Sequence, residues 1–413
     1  MYSQSPPRHQ PTYIQLINRI GHHLEKAGFG KPDLSADRLI NRAKSRTGLQ
    51  DFGDESFRIG LEMLTAELRD QAQLSQIGRL AAHFNLLENL CVRLQLIDFR
   101  AQRPEVARQQ IQRPLFVIGL PRTGTTILFE LMAQDPAMRS PASWEVAKPI
   151  PPPKHASYQN DKRIRSVDRF MALAEKLSPG FQAIHAIGAR LPQECVYIFA
   201  SQFVSEQFGY MYNIPKYRAW ALDQDMTASY RWHANFLQHL QVDCGRDHWV
   251  LKTPFHLAYL KYLFAQYPDA AIVWTHRRPL EAMASFSSLA STLHGGFSDT
   301  VDPRAIGAHE FEHFSKIVQT GIQQRRGLDQ SQFFDVSFSA ICSNPIAVIR
   351  DLYEYFGMHL GSEAETRMRA YLKQRPRNLY GEHRYSAAEF GLDGSQERDL
   401  YTEYLTLFGE YLH

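Results

Sequence analysis

The sequence predicts an α/β fold: a parallel sheet flanked by helices, preceded by an N-terminal helical segment and carrying a helical insertion. Three observations point there. Short apolar, β-prone runs at Leu115–Ile118, Ala270–His276 and Phe333–Val336 are each followed by a helical pattern, and strands alternating with helices build parallel sheets covered on both faces. Before residue 105 the apolar spacing is helical. Between about residues 150 and 245 it is mostly helical again, entered through prolines at 149–153 and rich in aromatic side chains.

In chain order, Phe57, Leu61, Leu64 and Leu68, then Leu80, Phe84, Leu87, Cys91 and Leu94, step by three and four, the period of an amphipathic helix. Asp33-Leu34-Ser35 and Asp51-Phe52-Gly53-Asp54 supply caps and breaks, and Pro104 punctuates the exit. Residues 1–105 are therefore expected to form the helical segment and 106–413 the main α/β domain. The first strand runs into Gly119-Leu120-Pro121-Arg122-Thr123-Gly124-Thr125-Thr126 and a helix through Met132. The second runs into Arg277-Arg278-Pro279, with the proline in a helical first turn. After the third, Asn344-Pro345 opens a helix that stops at Gly357. The insertion's aromatic residues (Tyr197, Phe199, Phe203, Phe208, Tyr210, Tyr212, Tyr217, Trp220) either fill a helical core or cap a binding site, and the pattern leaves both open.

The totals exclude several classes. At 413 residues the chain exceeds what one core usually serves, and 44% hydrophobic with 22% charged residues is the composition of a folded chain. A net charge of +3 makes no demand for nucleic acid or an anionic membrane, so any anion site must be local. Cys91, Cys195, Cys244 and Cys342 form no metal-binding or redox pair and suit a reducing compartment. The polar N-terminus and the lack of a long apolar run lead to the expectation of a cytoplasmic protein without a transmembrane segment.

A glycine loop between strand and helix aims backbone N–H groups at an anion, where the helix dipole is positive. The nucleotide-triphosphatase version needs a lysine where this chain has Thr125, which disfavours a P-loop-type nucleotide kinase or NTPase. Arg122 offers a different cation inside the loop. A non-catalytic nucleotide-binding scaffold is the alternative from another class. His309-Glu310-Phe311-Glu312-His313 matches the H-E-x-x-H zinc pattern, but no third ligand is apparent, so a zinc hydrolase is disfavoured and no metal is expected.

Pro121-Arg122-Thr123-Gly124-Thr125-Thr126 resembles the 5′-phosphosulfate loop of the sulfotransferase family, especially its tyrosylprotein and bacterial members. Arg277, at the end of a strand, and Ser285, eight residues on, match the family's 3′-phosphate grip. Trp249-Val250-Leu251-Lys252-Thr253-Pro254-Phe255-His256 is similar to the segment lining the sulfonate pocket, and Gly381-Glu382-His383-Arg384-Tyr385 with Phe390-Gly391 resembles the C-terminal signature. Relatives often carry a tyrosine and an acidic residue where this chain reads Ser337-Phe338-Ser339-Ala340, and an acidic residue at Arg278.

The resemblance spans about Phe52 to the C-terminus. It implies a P-loop-kinase-like core and sulfonate transfer from 3′-phosphoadenosine-5′-phosphosulfate to a hydroxyl or amine. The acceptor class stays open among small molecules, lipids, carbohydrates and peptides. Arg122, Thr123, Gly124, Thr125, Thr126, Arg277 and Ser285 would hold the donor, with Arg122 also stabilising the leaving oxygen and Lys252 in the sulfonate pocket. Glu145, just after the first helix and beside Trp144, is the first candidate for general base. His256 competes for that role, and Glu194 is a weaker candidate for acceptor binding.

Overall fold

The computed structural model describes residues 12–26, 32–177, 188–246, 248–375 and 385–413. Five parallel strands, β1 (Leu115–Gly119), β2 (Met138–Arg139), β3 (His248–Lys252), β4 (Ala271–His276) and β5 (Phe333–Ser337), form one sheet in the order β2-β3-β1-β4-β5. β1 is central, pairing Phe116 with Leu251 of β3 and with Ile272 of β4. Helices cover both faces, as the alternation along β1 requires. Leu115 and Val117 point into a cluster with Leu128, Val250, Val273 and Ile349. Phe116 and Ile118 point into a larger one with Trp274, Phe199 and Leu237.

That larger cluster also takes in Leu39, Phe57, Leu64, Leu86 and Leu94, so the N-terminal helices share the sheet's core. The helices expected from spacing form at Phe57–Asp70 and Gln76–Gln102. Ser75 caps the second, its hydroxyl accepting from the N–H of Gly78 at 3.0 Å. Asn344 caps the helix Pro345–Tyr355, and Gly357 ends it with φ +65°. β2 and β3 were not expected as strands.

The insertion's aromatics are largely core. Phe199, Phe203, Phe208, Tyr212 and Tyr217 are buried, whereas Tyr197, Tyr210 and Trp220 keep accessible surface. No helix among the described residues is long and apolar enough to cross a membrane.

Parallel strands all end on one side, and the chain leaves β1 between β3 and β4, its two neighbours. A crevice opens at such a switch point. The ends of β1, β3 and β4 deliver to it the glycine loop, Lys252 and Arg277.

Candidate active site

The loop after β1 is shaped by left-handed backbone. Gly119, Arg122 and Gly124 have φ of +142°, +68° and +91°. At Gly119 a methyl group would stand 2.5 Å from the carbonyl oxygen of Thr275, so only glycine lets the loop lie this close to β4. The Thr123 hydroxyl pins the turn, lying 2.6 Å from the Leu120 carbonyl oxygen and 2.6 Å from the Thr275 hydroxyl. Gly124 then starts the helix Thr125–Met132, whose first N–H groups face the crevice.

Two motifs far apart in sequence meet over this loop. Arg122 Nε donates to Ser285 Oγ at 3.1 Å, and Arg277 Nη1 donates to the carbonyl oxygen of Arg122 at 3.1 Å. Burial, with Arg277 close by, pulls Arg122 below the ordinary arginine value, partly offset by Tyr385. A cation disfavoured by its surroundings gains from an arriving anion. Arg277 also lies over the ring of Phe338 at 4.3 Å and pairs with Glu281. Arg278 instead engages Glu397 at 3.0 Å, so of the two neighbouring arginines only Arg277 turns to the loop. Phe338 belongs to the segment that departs from the family pattern, and sequence reasoning gave it no role. Of the C-terminal signature, Gly381–Arg384 lie outside the described residues.

At the end of β3, Lys252 reaches the start of the loop helix. Its Nζ donates to Thr126 Oγ1 at 3.3 Å and to Glu194 Oε1 at 2.5 Å. Lysine is missing at position 125, but the neighbouring strand brings an ammonium to the same helix N-terminus.

Glu145 and His256 have different surroundings from those expected of a base. Glu145 is fully buried and accepts hydrogen bonds from Arg139 Nη2 (2.8 Å), the Ala142 N–H (2.8 Å) and the Tyr158 hydroxyl (2.9 Å). Burial opposes the charge on Arg139, and Glu145 more than restores it, leaving Arg139 above its ordinary value. Trp144, expected to shape the acidity of Glu145, packs instead against Tyr158 and under Arg163. Both oxygens of Glu145 are thus committed to holding β2 to the following turn. His256 is sealed in the core with Nδ1 2.7 Å from the Tyr230 hydroxyl, and burial, then His233, push its pKa well down. Its neighbours are Phe116, Phe199 and His233, not the loop.

The H-E-x-x-H residues do lie on one helix, Pro303–Arg325, but they serve an ionic network. Arg218 binds Glu310 through two nitrogens and Glu206 through Nε, while His313 Nε2 sits 3.0 Å from Glu206. Among the described residues, the three side chains close enough together to share a metal ion are instead Cys195, His233 and His256, whose ligand atoms lie within 4.8 Å of one another.

Fold and site together define an α/β protein that gathers two arginines, a lysine and a helix N-terminus at the strand ends. Residues 114–361 match the model of the sulfotransferase family, and the chain belongs to that family. It resembles sulfotransferase STF1 from Mycobacterium tuberculosis, with 31% identity, 89% of this chain and 98% of that one covered, and a TM-score of 0.80. Similarity to sulfotransferase STF9 from Mycobacterium avium is 28% over 91% of this chain and 97% of that one, with a TM-score of 0.83. Among curated proteins, omega-hydroxy-beta-dihydromenaquinone-9 sulfotransferase Stf3 of Mycobacterium bovis and of Mycobacterium tuberculosis is 24% identical over 59% of this chain. The match spans 63% of those relatives' length.

Proposed function

We propose that the protein transfers the sulfonate group of 3′-phosphoadenosine-5′-phosphosulfate to a hydroxyl group carried on an apolar molecule. The observation that carries the donor assignment is the meeting of Arg122, Arg277 and Ser285. The loop suits one anionic end of the donor, and Arg277 with Ser285 suits the 3′-phosphate. As the bond between sulfur and the bridging oxygen breaks, negative charge grows on the 5′-phosphate. Loop N–H groups, Arg122 and Lys252 would stabilise that charge, and each such preorganised donor is typically worth about 10²–10³ in rate. Arg277 and Ser285 contribute binding energy away from the reacting centre.

Two things support an apolar acceptor. The curated relatives are named for an omega-hydroxylated dihydromenaquinone. In this chain Tyr210 packs against Phe255 and Phe286, at 5.7 and 5.6 Å between ring centroids, and keeps part of its surface accessible.

The test is calorimetric titration with 3′-phosphoadenosine-5′-phosphate, beside adenosine monophosphate and ATP, on wild type and Arg277→Ala. The first nucleotide alone should bind tightly. Loss of a charge-assisted contact worth about 1.5–3 kcal/mol weakens it roughly 10- to 100-fold in the variant. A preference for ATP would overturn the donor assignment.

A further inference from the structure

A long-chain apolar alcohol resides in a lipid bilayer rather than in water, so an enzyme that sulfonates one has to meet it at the membrane surface. We propose that one exposed face of this protein, built from three helices beside the acceptor side of the site, docks on an anionic bilayer. The inference deepens the apolar-acceptor reading above, which supplies the purpose of the surface. The surface itself is read from exposure and charge.

Three helices present large apolar side chains to solvent. On Thr12–Lys26, Tyr13, Leu16, Ile17 and Ile20 are exposed while Ile14 and Asn18 turn inward, so the helix has a second apolar edge that nothing covers. On Gln76–Gln102 the uncovered residues are Leu80 and Phe84, one turn apart. On Lys162–Leu177 they are Phe170 and Leu173, while Ile164 and Val167 are buried. All eight are between 44% and 57% exposed. The edges adjoin. The rings of Phe84 and Phe170 lie 5.5 Å apart between centroids, the Tyr13 hydroxyl donates to the Lys176 carbonyl oxygen, and Asn18 Oδ1 accepts from the Ile77 N–H at 3.1 Å. An apolar surface assembled from three elements is a binding surface, unlike single scattered residues.

The charge beside it decides what it binds. The helix Lys162–Leu177 carries five basic residues to two acidic ones. Lys162, Arg165, Arg169 and Lys176, spaced by three, four and seven, share one exposed face, and that face borders the edge bearing Phe170 and Leu173. Of the acidic residues, Asp168 serves the protein itself, accepting from the Ala189 N–H at 2.9 Å. Arg19 and His23 are exposed on the first helix, and the stretch from Gln76 to Leu87 holds no acidic residue. A second copy of this chain would bring the same positive stripe to the same apolar edge, and like charges across such a contact oppose it. An anionic bilayer satisfies both halves at once, with headgroups against the stripe and acyl chains against the rings.

The face also stands next to the aromatic residues that suit the acceptor. Asn85, which follows Phe84, donates through Nδ2 to Met211 Sδ at 3.6 Å. Met211 follows Tyr210, whose partly exposed ring packs on Phe255 and Phe286. With the bilayer on this face, an apolar alcohol passes from lipid to Tyr210 without crossing water.

Sedimentation of the whole protein with vesicles, without donor or acceptor, tests the docking surface. The vesicles are phosphatidylcholine alone or phosphatidylcholine mixed with phosphatidylglycerol. Wild type should pellet with the mixed vesicles and be released by raised salt, since each basic residue at an anionic surface is worth roughly fivefold in affinity. Arg165→Gln with Arg169→Gln should weaken the partition about twenty- to thirtyfold. Phe170→Ser with Leu173→Ser should weaken it at least about tenfold. All four side chains are exposed, so circular dichroism and affinity for 3′-phosphoadenosine-5′-phosphate should match wild type. Transfer to a long-chain alcohol carried in the mixed vesicles should fall in step with the partition. Wild type that stays in the supernatant, or pellets equally with both kinds of vesicle, would overturn the proposal, as would transfer that is unchanged in variants no longer pelleting. A dimer in analytical ultracentrifugation that Phe170→Ser with Leu173→Ser dissolves would overturn it too and assign the face to a second copy. Wild type that pellets with mixed vesicles but fails to bind the nucleotide would overturn the sulfotransfer reading and leave the docking surface standing.

Discussion

Replacing Glu145 with alanine separates a structural carboxylate from a catalytic one. The side chain of Arg139 is 4% exposed and that of Glu145 0%, so the substitution strands a buried guanidinium that keeps its hydrogen bond to the Leu240 carbonyl oxygen but loses its counter-charge. Breaking a buried ion pair by removing one partner costs about 3–5 kcal/mol. The Tyr158 hydroxyl and the Ala142 N–H lose their acceptor as well. With a urea m-value on the order of 3 kcal/mol/M, the unfolding midpoint falls on the order of 1 M. Circular dichroism through a urea series gives the midpoint. Titration with 3′-phosphoadenosine-5′-phosphate counts folded sites, so that turnover is expressed per competent molecule. The expected outcome is a large loss of stability with turnover per folded site within a few-fold of wild type. A midpoint unchanged from wild type, with turnover down a hundredfold or more, would refute the reasoning and return Glu145 to the role its sequence position suggested.

Gly119→Ala places a methyl group against the Thr275 carbonyl oxygen in a backbone conformation that alanine resists; nucleotide affinity should fall at least tenfold by calorimetry, and an unchanged affinity would show that the loop relaxes freely. The stability of the protein should also decline in acid through its buried histidines. Burial pushes His233 down to about 3, below the unfolded value of about 6.5, so the unfolded chain takes the proton first. That contribution is complete above about pH 6.5 and is lost as pH falls toward 3, with a slope of at most about 1.4 kcal/mol per pH unit. His233→Phe should flatten this limb in denaturation series at several pH values, and an identical slope would count against it. Incubation with EDTA should leave transfer unchanged, because Glu310 and His313 are engaged by Arg218 and Glu206. A loss restored by zinc would direct attention to Cys195, His233 and His256.

What the sequence made legible was what is local. The run Leu115–Ile118, the glycine loop and the helix behind it form one continuous stretch, and the same is true of β4 with Arg277, so these units could be read without a tertiary context. β3 escaped because its five residues run into Thr253-Pro254 and a tight turn, Pro254–Tyr259, before the helix Leu260–Gln266, and β2 because two residues carry no period. The choice between Arg277 and Arg278 depended on Glu397, more than a hundred residues away. The environment of Glu145 could not be read, since nothing in the letters distinguishes an arginine six residues upstream that faces solvent from one that faces Glu145. Glu194 shows the same dependence on packing, since its partner Lys252 stands 58 residues further along the chain. The H-E-x-x-H pattern failed for a related reason: Arg218 and Glu206 come from a distant part of the chain.

The buried corner around Glu145 also sets how this enzyme can diversify. The turn that Glu145 fastens carries three backbone hydrogen bonds to the returning chain: Trp144 N–H to the Ala189 carbonyl oxygen, Ser143 N–H to Leu191, and Gln193 N–H to Pro141. Two stretches some fifty residues apart are stitched together immediately before Glu194. The described part of the interval is bound to that seam rather than hung from it: Tyr158 donates to Glu145, the Ala189 N–H donates to Asp168, and Ile164 and Val167 pack with Trp144, so a change in length or composition there is felt at the corner itself.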